Sequence, residues 1–255
     1  ARLPLLAIAV LVTPGLAYAD EPTLKKYTAP DANTRDEPIA KTFSMNKAVS
    51  FLDNAALQWT DRQGCFSCHT NYAYLYVRPM VKADVQAHKE IRAALESIVA
   101  KTWAADQAPS DYDVVATAAA LAFNDSLTTK KLHATTKTAL DRMWTVQKDD
   151  GGFHWLLCDW PPMENDDHYG VTLAALAVGV APEGYAATPQ AKKGLDRLRG
   201  WLKKNPPENL HHQAMLLWVS KYLDGFLTKD ERAATIKELR AKQLPDGGWS
   251  SPGVY

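Results

Sequence analysis

The stretch QKDDGGFHWLLCDWPPMENDDHYGVTLAALAV, residues 147–178, decides how the rest of the chain is read. Gln147 closes a segment in which Leu132, Thr136, Ala139 and Met143 recur at helical spacing, with charges opposite. Asp150-Gly151-Gly152 then marks a tight turn, because paired glycines permit backbone that other residues resist. An excursion with Pro161 and Pro162 follows. Beyond it, Val171 begins VTLAALAVGV, apolar on every side. Such a segment predicts a helix enclosed by protein all round.

The pattern recurs along the chain. QLPDGGWSS at 243–251 shares Q-x-x-D-G-G-aromatic with QKDDGGFHW at 147–155. The two glutamines lie 96 residues apart, two units of 48, and Gln63 precedes Gln147 by 84, two units of 42. A period in the forties predicts stacked helical units. Amphipathic stripes fall at Ile91, Leu95, Ile98 and Thr102; at Leu195, Leu198 and Leu202 with Trp201; and at Ala233, Ile236, Leu239 and Gln243. Between them run the apolar segments VVATAAALAF, 114–123, and AMLLWVS, 214–220. Alternation of the two types predicts two concentric rings, with an open solenoid as the plainer arrangement. Helices are expected near 45–60, 69–80, 86–104, 110–124, 130–148, 166–180, 189–204, 207–223 and 228–243. Thr188-Pro189 and Asn205-Pro206 read as N-caps followed by proline. Thr228 with Glu231 reads as a capping box, and Ser110 with Asp113 resembles one.

Q-x-x-D-G-G-[FW] after an outer helix resembles the QW motif of the squalene and oxidosqualene cyclases, and residues 147–178 are similar to a whole hairpin of that type. Protein prenyltransferase β subunits use the same hairpin. The resemblance implies an all-α fold, an α/α toroid spanning residues 44–255. About six hairpins make such a toroid and about four and a half are counted here. The chain stops at DGGWSSPGVY, where the next inner helix is expected, so the toroid reads as incomplete at its C-terminus. The resemblance also implies a cyclase-like isomerase or lyase acting through an acidic carboxyl. Glu164-Asn165-Asp166-Asp167 stands where that family has D-x-D-D, which places Asp166, Asp167 and His168 as catalytic candidates.

Lys+Arg and Asp+Glu number 29 each, so the formal net charge is zero, which argues against a nucleic-acid binder. Residues 1–19 carry Arg2, an apolar run from Leu3 to Leu16 and the small-x-small end Ala17-Tyr18-Ala19, the layout of a secretory signal peptide. Pro14 and Gly15 interrupt the run, so no membrane span is read there. A periplasmic or extracellular protein without a transmembrane helix in the mature chain is expected. Residues 20–43, with Pro22, Pro30 and Pro38, read as a linker.

In a toroid the N-termini of the inner helices gather at one end. That end is expected to hold Cys65, Cys68 and His69; Asp111 and Asp113; Asp166, Asp167 and His168; and His211 with His212. His154, Cys158 and Asp159 stand just before one inner helix. The plain alternative is that the aspartates are helix caps and the histidines polar helix starts. Cys65-Phe66-Ser67-Cys68-His69 is the C-x-x-C-H pattern of c-type haem attachment, with His69 as proximal iron ligand and His168, His211 or His212 as distal candidates. Two other readings stand beside it. The thiols join partners such as His168 or Cys158 on zinc, or they form a disulfide and no cofactor is bound. Tyr72, Tyr74 and Tyr76 with Trp155 and Trp160 read either as helix packing or as the wall of an apolar ligand pocket. Three function classes follow: a haem- or metal-bearing protein with a redox partner, a cyclase-like isomerase, and a toroid that binds an apolar molecule or a protein without chemistry.

Overall fold

The computed structural model describes residues 21–32, 34–37, 40–63, 66, 70–82, 84–103, 109–156 and 166–250. Within them the chain is helical, with a single β-bridge between Thr23 and Lys26. The helices are α1 (Met45–Gln63), α2 (Asn71–Val81), α3 (Gln86–Ser97), α4 (Asp111–Leu127), α5 (Ala134–Thr145), α6 (Asp167–Val180), α7 (Pro189–Lys204), α8 (Leu210–Val219) and α9 (Lys229–Ala241). A π-helical turn, Ile98–Thr102, continues α3.

The two helix types sort into two layers. The even-numbered helices pack on one another in sequence order: α2 on α4, α4 on α6, α6 on α8. The odd-numbered helices α1, α3, α5 and α7 form the second layer, and α9 packs on α8. Inner α4 is buried without a break from Val114 to Asp125, and α6 from Gly170 to Val178. Outer α5 buries one stripe, Thr136, Ala139, Leu140, Met143 and Trp144, and α7 buries Ala191, Gly194, Leu195, Leu198 and Trp201. Each fully buried leucine of this set contributes about 2 kcal/mol of hydrophobic stabilisation.

Side-chain pairs give the direction of the inner layer. Tyr72 meets Thr117 and, one turn on, Tyr76 meets Phe123, so α2 and α4 run parallel. The starts of α6 and α8 meet through Asp166 and His212. Phe123 near the end of α4 meets Trp218 near the end of α8, with ring centroids 5.3 Å apart. All four inner helices therefore begin at one end.

The two Q-x-x-D-G-G turns close with the same bonds. Gln147 Nε2 donates to the Gly151 carbonyl at 2.9 Å, and Gln243 Nε2 to the Gly247 carbonyl at 2.7 Å. Asp150 and Asp246 each accept from the backbone N–H two residues on, at 2.8 and 2.9 Å. Gly151 and Gly247 adopt φ of +98° and +88°, the left-handed side that favours glycine. Gln147 also reaches the Gly194 carbonyl at 3.2 Å, so the buried turn is tied to the next outer helix. The glutamine amide thus braces its own turn and the backbone of the neighbouring outer helix.

Some local expectations are corrected. Asn205 caps the end of α7 rather than starting a helix, because Pro207 disfavours helical backbone at Pro206. The next helix waits for Asn209, whose Oδ1 accepts from the His212 N–H. Ser110 donates its hydroxyl to the Asp113 carboxylate at 2.8 Å and so makes no cap bond to backbone. The caps at Thr188 and Thr228 form as read, the second as a full capping box. The α9 stripe is not buried: Ile236 and Gln243 are exposed, and Thr235 is the buried residue of that helix. Tyr72 and Tyr74 are packing residues, buried with their hydroxyls on Thr117 and Asp53.

Part of the stretch that reads as a linker is docked. Glu21 accepts from the Gln86 N–H at the start of α3, and Leu24 N–H donates to Glu90. Thr28 N–H donates to Asn54, and Tyr27 to Asp61 on α1. Two buried polar knots also fix helices that the sequence pattern does not connect. Arg78 and Tyr74 on α2 both bond Asp53 of α1. Arg92 on α3 pairs with Asp125, 2.7 Å away, and bonds Asn124, both on α4.

Candidate functional site

The starts of the inner helices bring one cluster together. Asp166 is the N-cap of α6 and its Oδ1 accepts the Tyr169 N–H at 3.1 Å. Asn209 caps α8 and thereby places His211 and His212 in its first turn. His212 Nε2 lies 2.8 Å from Asp166 Oδ2. The Glu208 N–H donates to His212 Nδ1 at 3.2 Å. An Nδ1 that accepts leaves the ring proton on Nε2, so His212 donates to the carboxylate and both its nitrogens are engaged.

His168, in the first turn of α6, lies flat against His212, with centroids 4.1 Å apart and planes 4° from parallel. It also makes a T-shaped contact with Trp201 on α7, at 6.1 Å. The residue is 4% exposed and neither ring nitrogen has a hydrogen-bond partner among the described residues. Burial, with His212 beside it, pushes the imidazole down to about 4, so it is neutral near pH 7. His211 stacks on Tyr169, and its Nδ1 lies 3.9 Å from Asp166 Oδ2. Burial lowers its pKa as well, against the pull of Asp166.

Burial works to raise the Asp166 carboxyl. The hydrogen bond from His212, with the Tyr169 N–H, outweighs it and holds the group below the usual carboxylate range. Asp166 is thus kept as an anion. An acid that protonates an olefin must instead be stored with its proton on. Asp167 is exposed and stands outside the hydrogen-bonded cluster.

The remaining candidates separate. Asp111 Oδ2 accepts the His154 N–H at 2.7 Å, a structural link from α4 to the strand of chain after the glycine turn. Burial raises the Asp113 carboxyl. Among the described residues no three His, Cys, Asp or Glu side chains form a group that could hold a metal ion. Both nitrogens of His212 are hydrogen-bonded, and His168 packs against His212 and Trp201. Cys65, Cys68 and His69, and with them Cys158 and Asp159, lie outside the described residues.

The sequence pattern does not disclose an aromatic chain along this end. Tyr112, Trp155, Tyr169 and His211 follow one another at 6.4, 6.1 and 5.9 Å, linking the starts of α4, α6 and α8. A signal exists in hindsight at Gly170, where a Cβ would overlap the Trp155 ring.

No helix among the described residues is long and apolar enough to cross a membrane. Compared with known protein families, curated proteins and solved structures, the chain shows no match.

Proposed function

We propose that this chain is an exported α/α-toroid protein of squalene-cyclase-like type that carries one covalent haem c, held by Cys65 and Cys68 with His69 on the iron, and exchanges electrons with a redox partner. One observation carries the reading. Helix α1 ends at Gln63 and α2 begins at Asn71, so the C-x-x-C-H pentad lies wholly within the connection into an inner helix. Where Gln147 and Gln243 are followed four residues on by a glycine at positive φ, Gln63 is followed by Ser67. That connection has lost the glycines that close its two counterparts and has two thiols and an imidazole instead.

The donor set fits the group. Two thiols and a following histidine on one short loop are what thioether attachment and axial ligation require. The haem would supply one-electron chemistry; the chain supplies its attachment, its axial imidazole and the aromatic packing of Phe66 on Tyr72 beside it. The distal candidates divide from it. Helix α4 packs between α2 and α6, and His168 faces Trp201 in the outer layer. In this reading His69 is the chain's iron ligand, while Asp166, His168 and His212 join α6 to α8.

The test is a denaturing gel stained for haem after expression with the haem-attachment machinery. A stained band lost in Cys65→Ala/Cys68→Ala supports the reading; an unstained wild-type band refutes it. A second reading, a cyclase-like isomerase, draws on Asp167 at the head of α6, whose carboxyl desolvation holds above the usual carboxylate range. Turnover of a polyprene that disappears in Asp166→Asn or Asp167→Asn would establish it over the first. Binding of an apolar ligand without turnover, unchanged in those variants, would point to the toroid as a binding scaffold.

A further inference from the structure

Helix α1 belongs to the outer layer, yet its outer stripe carries no charge. Six cations and one acid stand on α7, and four cations and three acids on α9. From Met45 to Trp59, α1 holds only Lys47 and Asp53, and Asp53 is buried under Arg78 and Tyr74. Met45, Ala48, Leu52, Ala55 and Trp59 recur at steps of three, four, three and four, and Lys47 lies off that line. The spacing is a heptad seam, the stripe by which one helix meets one other helix. Met45 and Leu52 are exposed, and the rest of the seam is half-buried.

The seam faces away from what α1 packs on among the described residues. Asp53, Ala56 and Thr60 meet Asn71, Tyr74 and Arg78, which sets α1 and α2 antiparallel. Helical geometry puts the seam roughly a quarter-turn from that contact. Ala73, Val77 and Met80 stand at a similar offset on α2, and in antiparallel helices the two stripes face the same side. Val77 and Met80 are exposed. The other sides are taken: Tyr72 and Tyr76 carry α2 onto α4, and Asn54 and Asp61 hold the docked Thr28 and Tyr27 behind the seam. The result is an uncharged apolar face two helices wide and about 20 Å long. Faces of this kind mark interaction sites on proteins in water. Covering it hides about 500 Å² per copy, so a pair reaches the roughly 1,000 Å² that a specific interface needs.

We propose that this face joins two copies of the chain about a two-fold axis, with α1 antiparallel to α1. Side-chain size selects the arrangement. Met45, Leu52 and Trp59 are large, and Ala48 and Ala55 between them are small. With the axis level with the midpoint between Leu52 and Ala55, Leu52 sits over Ala55 of the second copy and Trp59 over Ala48 of the second copy. Each large side chain fills the space that an alanine leaves. A parallel pair would set Trp59 on Trp59 and alanine on alanine, with voids between. The opposite end of the layers offers no matching seam. There α9 packs on α8, with Thr235 as its buried residue and seven charged side chains, the polar cap that a terminal repeat needs. Pairing is therefore between like faces, which closes at two copies, and not head to tail. The antiparallel pair sends its two connections between Gln63 and Asn71 to opposite ends.

The test is sedimentation equilibrium of the full chain over a hundredfold range of concentration. The mass is expected to rise from one chain to two, with its midpoint at micromolar concentration, and to stop there. Leu52→Glu sets two like charges beside the axis and should leave a monomer. Leu52→Ala and Ala55→Leu should each weaken pairing at least tenfold, the first by a gap and the second by overlap. Leu52→Ala/Ala55→Leu exchanges the large and the small residue, and should return the midpoint to within threefold of wild type. These positions are exposed or half-buried, so circular dichroism of the dilute variants should match wild type. A monomer at every concentration, a mass that grows past two chains, an unchanged dimer in Leu52→Glu, or a double variant no better than the single ones would overturn the proposal.

Discussion

His212 on α8 donates its Nε2–H to Asp166 at the head of α6 across 2.8 Å, and the Glu208 N–H closes the other nitrogen of the same ring. One carboxylate thereby caps its own helix and clasps the next. Removing it exposes the first N–H groups of α6 and strands a buried imidazole. Asp166→Ala is expected to lower stability by about 2–3 kcal/mol, the sum of a cap and a charge-assisted bond. Asp167→Ala, one residue on and exposed, should cost under about 0.5 kcal/mol. Urea unfolding of both variants checks the contrast. Equal losses would mean that the clasp carries no stability.

His168 sets a pH dependence. Its folded pKa is near 4, against 6.5 for the exposed side chain. Between those values the unfolded chain binds the proton more readily, so stability is full above pH 6.5, falls as pH drops through the window and levels below 4. His211 adds to the same window, since its folded pKa is also lowered. Asp166 titrates lower still, and its contribution is lost only below the ordinary carboxylate range. His168→Phe keeps a flat ring against His212 and should make the slope between pH 6.5 and 4 shallower. An unchanged slope in that variant, followed by urea midpoints across pH, would show that His168 is not the titrating group.

The twin glutamines should separate in energy although their motifs match. Gln147 is buried and bonds both its own turn and Gly194 on α7. Gln243 is exposed, and its side chain bonds the Gly247 carbonyl of its own turn. Gln147→Ala is expected to cost about 1–2 kcal/mol. Gln243→Ala should cost under about 0.5 kcal/mol. Thermal unfolding of each variant decides.

Two glycines on α7 should respond with opposite sign. A Cβ at Gly194 would overlap the Trp144 ring, whereas one at Gly200 meets nothing. Gly194→Ala is expected to destabilise by about 1–3 kcal/mol through overpacking. Gly200→Ala should stabilise by about 0.5–1 kcal/mol, because an exposed helical glycine gains from a side chain.

The helices were legible because their signals are local. Val114–Phe123 is apolar all round and becomes a fully buried helix. Thr228 and Glu231, three residues apart, cap each other. The doubled glycine at 151–152 marks its turn locally, with Gly151 at positive φ and Asp150 accepting the Gly152 N–H. What the sequence hid depends on partners far along the chain. Asp53 meets Arg78 across 25 residues, and Gln147 meets Gly194 across 47. Asn205 misleads because a cap-like residue before proline also suits a helix end, and only the following Pro207 tips the balance. At the site, proximity was legible and role was not. The spacing of inner helices gathers Asp166, His168, His211 and His212, as the structure does. It cannot tell that Glu208 occupies one nitrogen of His212, or that His168 turns toward Trp201.

The central claim, covalent haem at Cys65 and Cys68, is tested most directly by intact mass and visible spectrum of the protein exported from cells with the haem-attachment machinery. The account predicts a Soret band and the mass increment of one haem, both absent in Cys65→Ala/Cys68→Ala. It also predicts a spectrum unchanged in His168→Phe. A colourless protein with a mass two hydrogens below the reduced chain would contradict it and make the pair a disulfide.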